Sequence, residues 1–503
     1  MLPPAGEGRS NSDIPLINKV TEKAAIVVCL FLLIIGSARA QEFAFDQNQL
    51  EAYRLALNLQ PVEALQKISD ESLVEAAYVA SLAEAIELLI TEDNSKFTEY
   101  EDRFQRRVDK NLKGSPRDYQ FLQAEIRLQW AFVYLKFGHE LDAAMNLRQA
   151  YQIAVACKEK YPDYMPIRKT TGLLQVIVGT VPDKYDWVLS LLNMNGSVSG
   201  GLADLNAIAM SDNVFAHESK ILFALVEGFI LSRPESALDH MQEILATEKD
   251  NRLLMFFTAS IAIKDSKNDV ALEMLEGLAT VKKGVPIHYA EYLRGEAYLH
   301  KSEYLNAISS YRWFISNQNG QNYIKDAYYK IGLCYLLHGN QNDALSFFKE
   351  ARKKGKESTE ADRSAAHSLS AKELPNVQLL KARHLTDGGY YREAEKILAG
   401  LNPANLAVKK DRAEYAYRKA RLAHKMNRAE AIEYYRETIN LTGQENWYFA
   451  PNACLQLGYL YQAQQKVKEA EEFFMRALAY RHHEYKNSID SKARSALTQL
   501  GRI

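Results

Sequence analysis

Chemistry needs particular residues at particular spacings, and four places in this sequence invite the test. GSVSGGL, residues 196–202, is rich in glycine. It lacks the Lys-Ser or Lys-Thr pair that would reach phosphates and magnesium, so it is not a phosphate loop. A turn between Leu192 and Leu202 is expected instead. Arg481-His482-His483-Glu484 sets two imidazoles beside a carboxylate. Adjacent side chains on a helix point about 100° apart, and no carboxylate-to-histidine spacing of a metal site accompanies them. An exposed polar helix end is expected, with no metal and no cofactor. Asp183, Lys184 and Asp186 fall in an irregular stretch, 170–205, the one place where an enzyme site would sit. Cys157, Cys334 and Cys454 are far apart in the chain, and buried free thiols are expected. No GxSxG, HExxH or Cys/His pairing is present, so the chain is expected not to be an enzyme.

The elements that position the remaining polar residues repeat. In DAYYKIGLCYLLHGNQNDALSFFKEA, residues 326–351, Tyr328 and Ile331 precede Gly332. Tyr335 follows three places on, Ala344 twelve places on, and Phe348 and Ala351 complete the unit. Small residues suit the places where two helices nearly touch, and large ones fill the space beside them. The pattern recurs around Gly295 with Tyr298, Ala307 and Tyr311, and around Ala382 with Leu385, Ala394 and Leu398. It recurs around Gly458 with Tyr461, Ala470 and Phe474. Ala420 follows it with one residue missing from its turn, giving Ala423, Ala431 and Tyr435, and Ala259 with Ala271 and Leu275.

This pattern resembles the tetratricopeptide repeat (TPR) family, built from helix–turn–helix units of about 34 residues. The resemblance implies an all-α, right-handed solenoid whose first helices line a concave groove. It assigns that groove to Tyr289, Tyr292, Glu296 and His300, then Tyr329, then Asn376, Arg383 and Thr386. Glu414, Tyr417, Arg421, His424 and Lys425 follow, and Asn452, Tyr459 and Gln462 close it. Amphipathic rings mixed with donors suit an extended peptide or a sugar chain. Arg383 and Arg421 hold the same place in successive repeats and are placed to share one acidic group, unless both are solvated or paired with Glu414. The Lys/Asn pattern that grips a C-terminal carboxylate in some TPR domains is absent.

Upstream the repeats are irregular. Phe121 to Tyr151 keeps Ala131, Tyr134, Ala143, Leu147 and Ala150 at repeat offsets, and Ser211 to Ala246 is a helix pair around Ala224 and Ala237. Residues 41–205 therefore form a degenerate helical region, 206–480 the array, and 481–503 a capping helix with Ile489, Ala493, Ala496, Leu497 and Leu500 on one face. Between Arg352 and Glu373 a polar insert is expected to be an extended helix end plus a loop. FLQAEIRLQWAFVYLKFG (121–138) together with 170–205 resembles exported TPR proteins of Bacteroidetes-type bacteria, and more faintly a eukaryotic outer-membrane and inclusion-body TPR group.

Residues 1–40 have the form of an export leader. Lys19 and Lys23 precede an uncharged run from Ala24 to Ala38, and Ala38-Arg39-Ala40 offers a small-x-small cleavage site before Gln41. The run is short for a membrane span, so no stable span is expected after cleavage, and a periplasmic or cell-envelope location follows. Over 503 residues, 62 basic side chains face 63 acidic ones, so nothing suggests a nucleic-acid footprint, which would need a basic excess or stripe. The function expected is a non-enzymatic scaffold binding another protein or an extended peptide. The alternatives are a carbohydrate-binding envelope protein and an enzyme sited in 170–205.

Overall fold

Small residues at fixed intervals decide how these helices meet. The computed structural model describes residues 43–180, 194, 196–371 and 373–502. The chain divides into Met1–Ala44 and Phe45–Ile503, and every described helix belongs to the second unit. The leader and the triad Asp183, Lys184 and Asp186 lie outside the described residues.

Among the described residues, twenty-four α-helices follow one another. They begin with α1 Gln47–Leu57, α2 Pro61–Lys67, α3 Val74–Thr91, α4 Asn94–Asp109, α5 Pro116–Phe137, α6 Glu140–Lys160, α7 Pro166–Gly179 and α8 Val198–Ala209. The middle holds α9 Ala216–Leu225, α10 Pro234–Thr247, α11 Arg252–Lys264, α12 Asn268–Thr280, α13 Tyr289–His300, α14 Tyr304–Asn317, α15 Ile324–Leu337 and α16 Gln341–Lys353. The last are α17 Glu360–Ser370, α18 Val377–Gly388, α19 Tyr391–Ala399, α20 Lys409–Lys425, α21 Ala431–Thr442, α22 Phe449–Ala463, α23 Val467–Ala479 and α24 Lys486–Gln499. Among the described residues the only β-type pairing is an isolated bridge between Leu73 and Lys113. No described helix is long and apolar enough to cross a membrane.

The helices form hairpins with one recurring joint. A Cβ on Gly332 would stand 2.6 Å from the Phe348 ring, one on Gly295 2.7 Å from Tyr311, and one on Gly458 2.4 Å from Phe474. In each case a ring sixteen places on fills the space that the absent side chain leaves. Alanine takes the small place at Ala259, Ala382 and Ala420, all fully buried against Leu275, Leu398 and Tyr435. Seven places after the small residue the backbone turns left-handed: Ser266, Ser302, Gly339, Gly389, Asn427 and Gln465 have φ of 62°, 64°, 93°, 90°, 55° and 60°. The next amide then reaches back over the turn, as Asn340 to the Tyr335 carbonyl at 2.9 Å and Tyr390 to the Leu385 carbonyl at 2.8 Å. This is a Schellman helix end, which satisfies carbonyls that the helix leaves open.

The same joint occurs in the irregular N-terminal half. Ala52 and Ala64 are fully buried, Leu59 turns left-handed at φ 58°, and the Gln60 amide donates to the Leu55 carbonyl at 2.9 Å. Ala131 and Gly138 repeat it in α5, with the His139 amide on the Tyr134 carbonyl at 2.8 Å. Around Ala224 the offset is one residue longer. A π-helical turn, Val226–Ile230, takes up the extra residue, so that Ser232 supplies the left-handed position. The chain is thus an all-α TPR-type solenoid.

One buried network ties the N-terminal helices α1, α3, α5, α7 and α9 together. Lys169 of α7, 2% exposed, donates to Tyr78 of α3 at 2.6 Å, Glu125 of α5 at 2.7 Å and Glu218 of α9 at 2.8 Å. Tyr53 of α1 donates to Glu218 at 2.7 Å, and Thr170 to Glu125 at 2.5 Å. Burial opposes the lysine's charge, but Glu125 and Glu218 outweigh it and raise its pKa.

Two sequence expectations change here. The polar insert is not a helix end plus loop. It contains a separate helix, α17, opened by a capping box between Thr359 and Asp362. Asp362 is fully buried and accepts from the backbone amides of Tyr323 at 2.9 Å and Asp326 at 3.1 Å, which caps α15 as well. GSVSGGL is not a turn throughout. Ser197 caps α8, and a Cβ on Gly201 would stand 2.5 Å from the Gly172 carbonyl, so the glycines let α8 meet α7. Cys157, Cys334 and Cys454 are free and buried, as expected.

Candidate concave site

The expected site draws on first helices, and the hairpin joint sets which of their places recur from one helix to the next. Of the residues expected to line the groove, Tyr292, His300 and Tyr417 are buried, and so is Thr386. Tyr289, Glu296, Tyr329, Asn376, Arg383, Glu414, Arg421, His424, Lys425, Asn452, Tyr459 and Gln462 are half-buried. The buried residues build the wall rather than offer a contact. Tyr417 belongs to the core shared by α20 to α24, and Tyr292 stacks on Tyr289 with centroids 5.1 Å apart.

The first knot centres on Lys330 of α15. Its ammonium lies 2.6 Å from Glu296 of α13 and 2.9 Å from Asp326, and it donates to the Tyr292 hydroxyl at 2.8 Å. Tyr292 in turn donates to Asp326 at 2.5 Å, and the Tyr311 hydroxyl donates to Glu296. Burial pushes the Asp326 carboxyl up to about 6, against the pull of Lys330. Burial also opposes the charge on Glu296, yet Lys330 and His300 hold that carboxylate below its usual value. In this knot one ammonium faces two carboxylates, and all three groups have partners within the chain.

The second knot is richer in cations. Arg383 of α18 lies 3.6 Å from Asp387, both side chains 36% exposed. Burial raises Asp387, but Arg383, Arg421, His300 and Arg418 together hold it below the usual range. The acidic group facing both Arg383 and Arg421 is therefore supplied by the chain itself. Glu414 pairs instead with Arg418 at 2.5 Å, and Arg418 also donates to the Tyr448 hydroxyl at 2.8 Å. Arg421 donates to Gln456 at 3.2 Å, which donates to Asn452 at 3.3 Å. Asn376 caps α18 and donates to Asp411 at 3.1 Å. His424 meets the Tyr435 hydroxyl at 3.1 Å, and burial followed by Arg421 pushes its imidazole down to about 4.

His300 and His384 lie face to face at 5.8 Å beside this knot. Burial, Arg383 and His300 drive the His384 imidazole well below its usual value. It stays neutral, and neither ring nitrogen has a hydrogen-bond partner among the described residues. Tyr459 is pushed up to about 12 by burial. His367 of the inserted helix meets Glu484 at 3.1 Å. Glu484 is thus tied to the insert, while His483 bonds the Glu484 backbone carbonyl at 2.8 Å.

Sequence reasoning passed over Lys264, Asp326 and Asp387, although all three hold places already assigned to the groove. Asp326 stands where Asn376 and Glu414 stand in their repeats, and Lys264 and Asp387 where His300 and Lys425 stand. The signal was present in the repeat register. Lys330, Arg418 and His384 sit one place off the concave stripe, so spacing alone did not mark them.

No known protein-family profile matches the chain, and no curated protein matches it. Solved structures do. Human IFIT1 solved as a dimer with PPP-AAAA is 15% identical at a TM-score of 0.33, covering 88% of this chain and 91% of that one. The P58(IPK) TPR domain is 17% identical at 0.20, covering 73% and 98%. Yeast Tom70 is 13% identical at 0.23, covering 90% and 81%. Likeness at these identities extends no function to this chain.

Proposed function

We propose that the chain is a non-enzymatic scaffold that holds an extended segment of another protein along its concave face. The observation that carries this reading is that polar side chains of successive first helices meet one another, Lys330 of α15 with Glu296 of α13 and Arg421 of α20 with Gln456 of α22. Stacked hairpins keep that face rigid, so little ordering entropy is lost on binding. Balanced overall charge favours a protein partner over nucleic acid. The leader at 1–40 supports export and a cell-envelope location after cleavage near Ala40, in keeping with the resemblance to exported bacterial TPR proteins. The carbohydrate alternative rests on groove tyrosines, of which Tyr292 and Tyr417 are buried and Tyr289, Tyr329 and Tyr459 half-buried. The enzyme alternative rests on segment 170–205, of which Asp183, Lys184 and Asp186 lie outside the described residues.

The test is a pull-down from envelope extract with the full chain and with an Asn452→Trp/Gln462→Trp variant of equal melting temperature. A protein retained by the first and lost by the second supports the groove. Equal retention moves the site off the concave face, and retention by neither overturns the scaffold reading. The mass of the chain recovered from expressing cells tests the leader: a start at Gln41 is expected, and an intact Met1 form in the envelope contradicts cleavage.

A further inference from the structure

Helix α7 spends most of its surface on neighbours other than α6. Lys169 and Thr170 meet Glu125 of α5, and Gly172 meets α8, where a Cβ would stand 2.9 Å from the Gly201 carbonyl. Arg168, Thr171, Leu174 and Gln175 share another face, since residues three and four apart lie side by side on a helix. On α6 the corresponding stripe is Ala154, Val155, Lys158 and Glu159. The two stripes line a cavity of about 440 Å³, to which Tyr151 and Pro162 also contribute. A cavity of that size is in the range that holds a small molecule.

The polar part of the lining is fixed by α8. Asp204, itself buried, accepts from Thr171 at 3.0 Å and from Gln175 at 3.3 Å, and pairs with the Lys158 ammonium. Lys158 is thereby answered within the chain. Arg168 is not: among the described residues it has no ion pair, and its Nε is buried without a hydrogen-bond partner. A guanidinium is a planar fork of donors with no acceptor of its own, and on the wall of a cavity it suits a carboxylate. Ala154, Val155 and Leu174 supply apolar wall in the same cavity. Glu159 lines it too and is exposed, so a second negative group on a ligand would meet repulsion.

We propose that the cavity between α6 and α7 binds a small amphipathic monocarboxylate, its carboxylate on Arg168 and its hydrocarbon body along Ala154, Val155 and Leu174. One unanswered guanidinium matches one negative charge, so nucleotides and other polyphosphates are poor occupants. The apolar wall separates this ligand from a plain inorganic anion, which has nothing to bury there. The site is apart from the residues assigned to the concave face and stands whether or not the scaffold reading holds.

The test is isothermal titration of the full chain with octanoate, octan-1-ol and octanedioate. Octanoate is expected to saturate a single site, and the alcohol and the dianion to bind about tenfold or more weakly. Arg168→Gln removes the anchor and Val155→Phe fills the cavity, and each is expected to weaken octanoate about tenfold. Arg392→Gln, the same charge change on exposed surface, is expected to leave it unchanged. A diazirine-bearing octanoate, photoactivated and mapped by mass spectrometry, is expected to label peptides within 151–175. No saturable binding of octanoate, equal binding of octan-1-ol, equal affinity in Arg168→Gln and Arg392→Gln, or label confined to other peptides overturns the proposal. Where a variant melts below the wild-type chain, the position of the label decides. Failure here leaves the pull-down result, and with it the scaffold reading, untouched.

Discussion

At the scale of single residues, Lys169 and Asp326 show how a buried charge is held and how stability responds when its partners change. Lys169 has three acceptors for three protons. Lys169→Met removes the one cation between Glu125 and Glu218 and leaves two carboxylates buried. The expected loss is about 3–5 kcal/mol in urea unfolding. Adding Glu125→Gln and Glu218→Gln to Lys169→Met is expected to restore part of it; no restoration would mean that packing, not charge, set the cost. Asp326 works the other way. Its folded carboxyl is pushed up to about 6 from an ordinary 3.8, so the folded chain holds the proton more tightly than the unfolded one. That contribution is fully present below the ordinary value and is lost as pH rises through about 6. The stability difference between wild type and Asp326→Asn is therefore expected to shrink by roughly 1–3 kcal/mol between pH 4 and pH 7.5. Lys330, Glu296 and Tyr292 face the carboxyl in the folded chain.

At the scale of the element, the hairpin joint was half legible. The small residue and the ring sixteen places on are sequence features, and Gly332 with Phe348 or Gly458 with Phe474 announced them. The left-handed residue between them was hidden, because Ser266, Ser302, Asn427 and Gln465 occupy it as well as Gly339 and Gly389. The first hairpin, around Ala52 and Ala64, was masked because α2 has only seven residues and Leu59 gives no turn signal. The π-helical turn shifted the Ala224 hairpin out of register. Helix α17 was obscured by a polar composition that suits a loop, although Thr359 and Asp362 form a capping box. The joint makes a direct prediction. Gln465→Gly relieves a left-handed conformation and is expected to stabilise by about 0.5–1 kcal/mol. Gly339→Ala meets nothing within 4 Å and is expected to cost about 1 kcal/mol through backbone strain alone. Thermal unfolding of both variants checks this; unchanged melting in both would show that the turns are relaxed.

At the scale of the whole molecule, hairpin turns double as contact points between distant parts of the solenoid. Asn58, beside the first turn, accepts from the Arg252 amide at 2.9 Å, and Glu92 accepts from Asn322 at 2.8 Å. Ser266 and Gly389, two left-handed residues, also lie against each other. None of these contacts follows from repeat spacing, which describes only neighbours. The candidate site divides in the same way. Its places follow from the register, but the internal partner Asp387, one turn along α18 from Arg383, was not singled out by it. The central claim is that the face so enclosed is where a partner lies. The most direct measurement places a photo-crosslinking residue at Gln462 or Tyr329 on first helices, and separately at Leu345 or Met475, which are 48% and 52% exposed on second helices. The account predicts that one protein crosslinks from Gln462 and Tyr329 and not from Leu345 or Met475. Crosslinks confined to Leu345 and Met475 would place the partner on the opposite side and contradict it.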